Sequence, residues 1–199
     1  MKRGLLGGTF DPIHLGHLRA AENAREALGL DEVAFVPART PPHREAPRAS
    51  ALDRFAMVAL ATASHPRFVA SDLELTREGP SYTVDTLAEL RRARPEDALF
   101  LIVGSDTFPE LASWKDRARI HDLCTVAVVS RPGEDGVPVE TGADAPPEAG
   151  RGARVARAEG PGLPVSATDV RRRVKEGLSI RYLVPAAVAD YIGKRGLYR

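Results

Sequence analysis

Cysteine, tryptophan, asparagine and glutamine are nearly missing from this chain, with one each of the first three and none of the last among 199 residues. The lone Cys124 excludes an internal disulfide and a cysteine-based zinc site. It stands in the apolar run LCTVAVV, where a buried thiol is expected, and a reducing cytoplasm suits it. An excess of one charge is also missing. Lys and Arg total 28 against 27 for Asp and Glu, a net charge of +1, so no general pull toward nucleic acid or anionic lipid is expected and any bound anion must be held locally. The opening MKRGLLGGTFDPIH has no long hydrophobic run: Asp11 and His14 interrupt it before a signal core or membrane span could form, so neither targeting nor membrane association is expected. The scarcity of side-chain amides fits a thermophilic source and equally a GC-rich coding bias.

What is present is a hydrophobic fraction of 43% beside 28% charged residues, which suits one compact domain spanning 1–199. Residues Lys2 to Gly8 form an expected strand ending in two glycines, and a helix begins near Leu15, with Leu18, Ala21, Ala24 and Leu28 on its apolar face and Gly29 as its stop. A strand EVAFVP follows, then a Pro-rich loop to Ser50, whose spacing to Asp53 matches a capping box. Leu52, Phe55, Ala56, Ala59 and Ala63 are the expected buried stripe of the helix so begun.

RFVAS, ALFLIVGSD and CTVAVVS supply further strands, with SYTVDTLAELRRA a helix that turns Val84, Leu87 and Ala88 inward. The Gly-, Pro- and Glu-rich stretch 131–152 is expected to be an exposed loop. ARVARAEG is the last expected strand, and 165–199 holds two helices, one from about Thr168 to Glu176 and one begun by Pro185 with Val188, Tyr191 and Ile192 inward. Alternation of strand and helix predicts an α/β fold, a Rossmann-like doubly wound parallel sheet with helices on both faces and a small C-terminal helical part. Ligands should lie at the carboxyl ends of its strands.

Two constellations carry chemistry. In GGTFDPIHLGHL, Gly7 and Gly8 let a phosphate or ribose approach the backbone where the following helix presents free N–H groups. His14 and His17, three residues apart, can project from one face toward a shared phosphate. Each feature alone is explained by a tight turn or a capped helix; together, at a strand-to-helix junction, they favour phosphate binding. Asp11, His14 and His17 also admit a metal reading, although His43, His65 and His121 have no ligand spacing. The second constellation is VSATDVRRRV, in which Ser166 and Asp169 match a capping box. A capped helix with a solvated arginine face explains this segment as well as a polyphosphate site built from N–H groups, Thr168 and Arg171.

With these residues in view, the chain resembles the bacterial nicotinate-nucleotide adenylyltransferases of the HIGH-motif nucleotidyltransferase superfamily. The resemblance rests on GGTFDPIHLGHL, PPHR at Pro41 to Arg44, GPSYTVDTL at Gly79 to Leu87, GSDTFPELASW at Gly104 to Trp114, SRPG at Ser130, VSATDVR, and the ending Leu183 to Tyr198. The first motif alone would admit the pantetheine-phosphate and glycerol-phosphate enzymes; the combination narrows the choice. Ala167 departs from a usual serine, and Val165 and Val170 stand for isoleucines, while Ser166, Thr168 and Arg171 remain.

The resemblance implies that His14, His17 and Arg171 are catalytic, and that Gly8, Thr9, Phe10, Gly104, Asp106, Ser166 and Thr168 join them in binding ATP. It further implies that Arg44, Thr83, Asp106, Trp114 and Arg131 bind nicotinic acid mononucleotide, with Trp114 stacked on the pyridine. Trp114 as a core aromatic, Asp106 as a loop cap and Arg131 as a surface charge are the plainer alternatives. The implied reaction transfers AMP from ATP to the mononucleotide in NAD biosynthesis, in the cytoplasm, by direct attack of the mononucleotide phosphate. Mg2+ is expected with ATP, and no metal-binding residue is assigned. ATP and nicotinic acid mononucleotide are the expected partners, with no nucleic acid and no membrane; a homo-oligomer is left open. The rivals are an adenylyltransferase for nicotinamide mononucleotide or another phosphomonoester, and a noncatalytic nucleotide sensor.

Overall fold

A computed structural model describes residues 1–42, 46–130 and 154–199. Arg44, Arg131 and the 131–152 segment fall outside the described residues. Among the described residues six strands, β1 (Lys2–Gly8), β2 (Glu32–Pro37), β3 (Phe68–Ala70), β4 (Ala98–Gly104), β5 (Thr125–Ser130) and β6 (Val155–Glu159), form one parallel sheet in the order β3-β2-β1-β4-β5-β6. The chain builds outward from β1 to one edge, then restarts at β4 and builds to the other. A crevice therefore opens between the carboxyl ends of β1 and β4, where the flanking connections leave toward opposite sides.

Six α-helices among the described residues cover the sheet: α1 (Leu15–Leu28), α2 (Ala51–Thr62), α3 (Thr83–Ala93), α4 (Arg117–Leu123), α5 (Ala167–Lys175) and α6 (Ala186–Arg195). Consecutive strand residues point to opposite faces, and the packing follows that alternation. Leu6, Ile102 and Ala127 join one buried cluster with Ala24 of α1, Met57 of α2, Val170 of α5 and Ile192 of α6. Leu5, Leu101 and Val126 join a second cluster with Leu87 of α3 and Ile120 of α4. The doubly wound sheet expected from the alternation is thus present, with a buried apolar cluster on each face.

The helix ends follow local chemistry. Gly29 closes α1 at φ 61, a left-handed position where a side chain would be strained, and its N–H bonds the Arg25 carbonyl. Ser50 accepts from the Asp53 N–H at the start of α2, and Ser166 accepts from the Asp169 N–H at the start of α5, as both capping boxes predict. α5 starts at Ala167, one residue before the expected Thr168.

The stripe expected for α2 is corrected. Met57, Val58 and Ala61 face the core with Asp53, Arg54 and Thr62, while Leu52 is 75% exposed. Apolar residues run nearly all round this helix, so periodicity does not select a face. The choice falls to two buried charges with fixed partners. Arg54 donates to the carbonyls of Thr9 (2.7 Å) and Arg39 (3.3 Å), and Asp53 accepts from Tyr191 and Arg195 on α6. α4 and a short 3-10 helix at Phe108–Ser113 had no counterpart in the sequence reading. At six and seven residues they are too short to show a helical period.

Candidate active site

A cleft of ≈ 1340 Å³ opens at the β1/β4 crevice. Gly8, Thr9, Phe10, His14 and His17 line it from β1 and the start of α1, and Gly104, Asp106 and Trp114 line it from the end of β4 onward. Thr83 comes from the first turn of α3, and Ser166, Thr168 and Arg171 from the start of α5. Every candidate site residue within the described part of the chain therefore borders one cavity; Arg44 and Arg131 lie outside that part.

The two imidazoles are fixed against each other. Their rings stack with centroids 3.7 Å apart and planes 21° off parallel. The His14 backbone N–H donates to His17 Nδ1 at 3.2 Å, so a neutral His17 carries its proton on Nε2. Phe10 meets His17 edge-on at 5.1 Å and holds φ 49, a left-handed conformation for a non-glycine residue. The pair also depends on a missing side chain: a Cβ on Gly16 would stand 3.0 Å from His14 Nδ1. Gly104 serves Asp106 in the same way, because a Cβ there would collide with the Asp106 carboxylate.

Arg171 of α5 joins this group directly. Its Nη1 donates to the Asp11 carbonyl at 2.7 Å and its Nη2 to Thr168 Oγ1 at 3.2 Å. The late arginine helix and the early histidine motif, 160 positions apart in sequence between Asp11 and Arg171, thus meet in one wall. The buried Asp11 carboxylate, weighed above as a metal ligand, is engaged by protein donors. It accepts from the N–H groups of Arg48 and Ala49 and from the Tyr198 hydroxyl. Among the described residues, no group of three or more His, Cys, Asp or Glu side chains gathers to hold a metal ion.

At the other end of the cleft, Tyr82 caps α3, so Thr83 and the next residues present the helix N-terminus. Lys115 lies 4.4 Å over the Tyr82 ring and pairs with Asp85 at 3.0 Å. Behind them, Glu74 accepts from the Thr86 hydroxyl at 2.6 Å, and its burial holds the carboxyl above the usual carboxylate range against the opposing pull of that bond. Ser81 Oγ accepts from the N–H groups of Arg39 and Thr40, tying this turn to the end of β2. Tyr198, Arg54, Glu74, Ser81 and Lys115 were not singled out from the sequence as binding residues, and Asp11 was weighed only as a metal ligand. Asp11, Ser81 and Tyr198 carried a signal, by lying inside recognisable motifs.

Residues 5–173 match the cytidylyltransferase-like family. A Thermus thermophilus protein named "Probable nicotinate-nucleotide adenylyltransferase" is 50% identical over 199 residues, covering 100% of both chains. A Dictyoglomus thermophilum protein of the same name is 46% identical over 198 residues, again covering 100% of both. The chain belongs to the nicotinate-nucleotide adenylyltransferase family. The resemblance drawn from its motifs is thereby borne out. The fold of this adenylyltransferase family member also matches Plasmodium falciparum nicotinic acid mononucleotide adenylyltransferase. The structure complexed with NaAD aligns at TM-score 0.79 and 18% identity, covering 100% of this chain and 98% of the other. The structure complexed with APC aligns at 0.78 and 18%, covering 99% and 96%.

Proposed function

We propose that the chain transfers AMP from ATP to nicotinic acid mononucleotide, forming nicotinic acid adenine dinucleotide and pyrophosphate for NAD biosynthesis. The observation that carries this reading is the meeting of the stacked His14–His17 pair with Arg171 in the wall of one cleft. A mononucleotide phosphate is itself a nucleophile, so no activated Ser, Cys or Lys is required. One of its oxygens forms a bond to the ATP α-phosphorus while the bond from that phosphorus to the β-phosphate bridging oxygen breaks, and pyrophosphate departs with the bonding electrons.

His14, His17 and Arg171 stabilise negative charge on the α-phosphate and the leaving pyrophosphate, and the N-terminus of α5 adds its N–H groups. Gly8, Thr9, Phe10, Gly104, Ser166 and Thr168 line the ATP half of the site, and Asp106 receives ribose hydroxyls. Trp114 stacks on the pyridine ring, while Thr83 at the N-terminus of α3, with Lys115 nearby, favours the anionic carboxylate of the acid over a neutral amide. Arg44 and Arg131 supply further positive charge toward the mononucleotide. Mg2+ accompanying ATP would neutralise phosphate charge; the buried Asp11 carboxylate is already engaged by Arg48, Ala49 and Tyr198, and no protein ligand is assigned to the ion. A cytoplasmic setting suits this chemistry; among the described residues no helix is long and apolar enough to cross a membrane.

Pyrophosphate release with ATP, Mg2+ and a panel of phosphomonoesters tests the proposal. Nicotinic acid mononucleotide should exceed nicotinamide mononucleotide and pantetheine phosphate in kcat/KM by at least about tenfold, a difference of ~1.4 kcal/mol. A preference for another acceptor would overturn the substrate assignment, and ATP binding without turnover of any of them would favour a nucleotide sensor.

A further inference from the structure

The C-terminal tail enters the cleft region from the far end of the chain. After α6, Gly196 turns at φ 63, the Leu197 N–H bonds back to the Ile192 carbonyl, and Tyr198 holds φ 66. This reversal carries the Tyr198 hydroxyl to Asp11 Oδ1, where it donates at 2.8 Å across 187 positions of sequence. Asp11 is 6% exposed, and its two carboxylate oxygens also accept from the Ala49 N–H (3.1 Å) and the Arg48 N–H (2.8 Å). The same residue's carbonyl accepts from Arg171. Asp11 is therefore the point at which the loop after β1, the entry to α2, the tail and α5 are joined.

We infer that Tyr198 is a positioning residue for adenylyl transfer, acting through Asp11 to set the place of the Arg171 guanidinium in the cleft. The inference rests on the proposed function and goes beyond it, because Tyr198 itself is asked to touch no substrate. Its hydroxyl shares Asp11 Oδ1 with the Ala49 N–H, while the Arg48 N–H holds Oδ2, so each oxygen of the side chain is fixed. With the carboxylate held, the Asp11 peptide is held, and its carbonyl orients Arg171 Nη1 while Thr168 orients Nη2. Two fixed bonds to one planar guanidinium leave it little freedom to turn. Burial and the adjacent Asp11 charge raise the tyrosine's proton affinity, so the hydroxyl remains a donor throughout the working pH range. Without it, Asp11 keeps its backbone donors but loses one of three constraints, and Arg171 samples positions away from the reacting phosphates. A misplacement of this kind lowers turnover rather than ground-state affinity for the mononucleotide.

Tyr198→Phe removes the hydroxyl and keeps the ring, so the variant should fold, which its circular dichroism and melting curve establish. With ATP, Mg2+ and whichever mononucleotide the wild-type protein turns over, kcat should fall at least fivefold while the KM for the mononucleotide stays within twofold. In an Arg171→Ala background the same substitution should change kcat by less than twofold, because the residue it positions is gone. A purely structural role for Tyr198 would lower kcat equally in both backgrounds, and that result would overturn the inference. So would a Tyr198→Phe protein with wild-type kcat. Turnover with nicotinamide mononucleotide in place of the acid would correct the substrate assignment and leave the Tyr198 comparison intact, whereas absence of turnover with either would overturn both.

Discussion

The stacked imidazoles retain little freedom. His14 and His17 are held by ring stacking, by the His14 N–H on His17 Nδ1 and by the edge of Phe10. The geometry directs the remaining His17 donor, Nε2, away from the backbone that occupies Nδ1. In the proposed reaction this donor strengthens its bond as charge builds on the phosphate, so His17→Ala should lower kcat about 100-fold, ~3 kcal/mol of transition-state stabilisation, with little change in mononucleotide KM. Steady-state kinetics with pyrophosphate detection checks this, and unchanged turnover would remove His17 from the mechanism. The motif GGTFDPIHLGHL made the pair visible in sequence; His14 is the N-cap of α1 and His17 its N3 residue, so the three-residue spacing brings the rings together at the start of the helix. The role of Asp11 was hidden: a carboxylate beside two histidines suggests a metal, and only its actual donors, Arg48, Ala49 and Tyr198, show it to be a structural acceptor.

Among elements, α2 links the loop after β1 to the C-terminal helices. Arg54 supports the Thr9 carbonyl on one side, and Asp53 receives the Tyr191 hydroxyl at 2.9 Å and Arg195 Nε at 3.1 Å on the other. Hydrogen bonding from Ser50 comes first among the causes that hold the Asp53 carboxyl below its ordinary value, followed among the lowering causes by Tyr191 and Arg195, with burial opposing. Ser50→Ala removes both the cap on the Asp53 N–H and the hydroxyl bonded to its carboxylate. It should cost about 1 kcal/mol. That corresponds to a melting-temperature drop of roughly 2–4 °C, measurable by calorimetry. An unchanged midpoint would mean that the start of α2 is held by its tertiary contacts alone. Ser50 and Asp53 were legible as a cap because the signal is local. The buried face of α2 was not, because its apolar residues offer two faces and distant partners of Asp53 and Arg54 choose between them.

For the whole molecule, two apolar clusters on either side of one sheet set stability, and a few polar groups buried within them make it depend on pH. His121 on α4 is 5% exposed, with no hydrogen-bond partner at either ring nitrogen among the described residues. Desolvation, reinforced by Arg117 and opposed by Asp122, lowers its proton affinity from the ordinary value of 6.5. The unfolded chain thus takes up this proton at higher pH than the folded one. The contribution to stability is complete above 6.5 and is lost as pH falls from there through the lower folded value. Denaturant unfolding at pH 7 and pH 5 should show a loss in the parent protein that is smaller in His121→Leu; equal losses would mean that other groups govern the acid limb. Cys124 lies in the same cluster, its thiol pushed up to about 12 by burial, as the apolar run around it foretold. Taken alone, the sequence determined the order of the strands and the longer helices, the parallel sheet and the two motifs that border one cleft, because period, capping and glycine placement act over a few residues. The tertiary structure decided the face of α2, the short helices around Trp114 and the convergence of Asp11, Arg171 and Tyr198. Those depend on contacts between residues far apart in the chain, which no local pattern encodes.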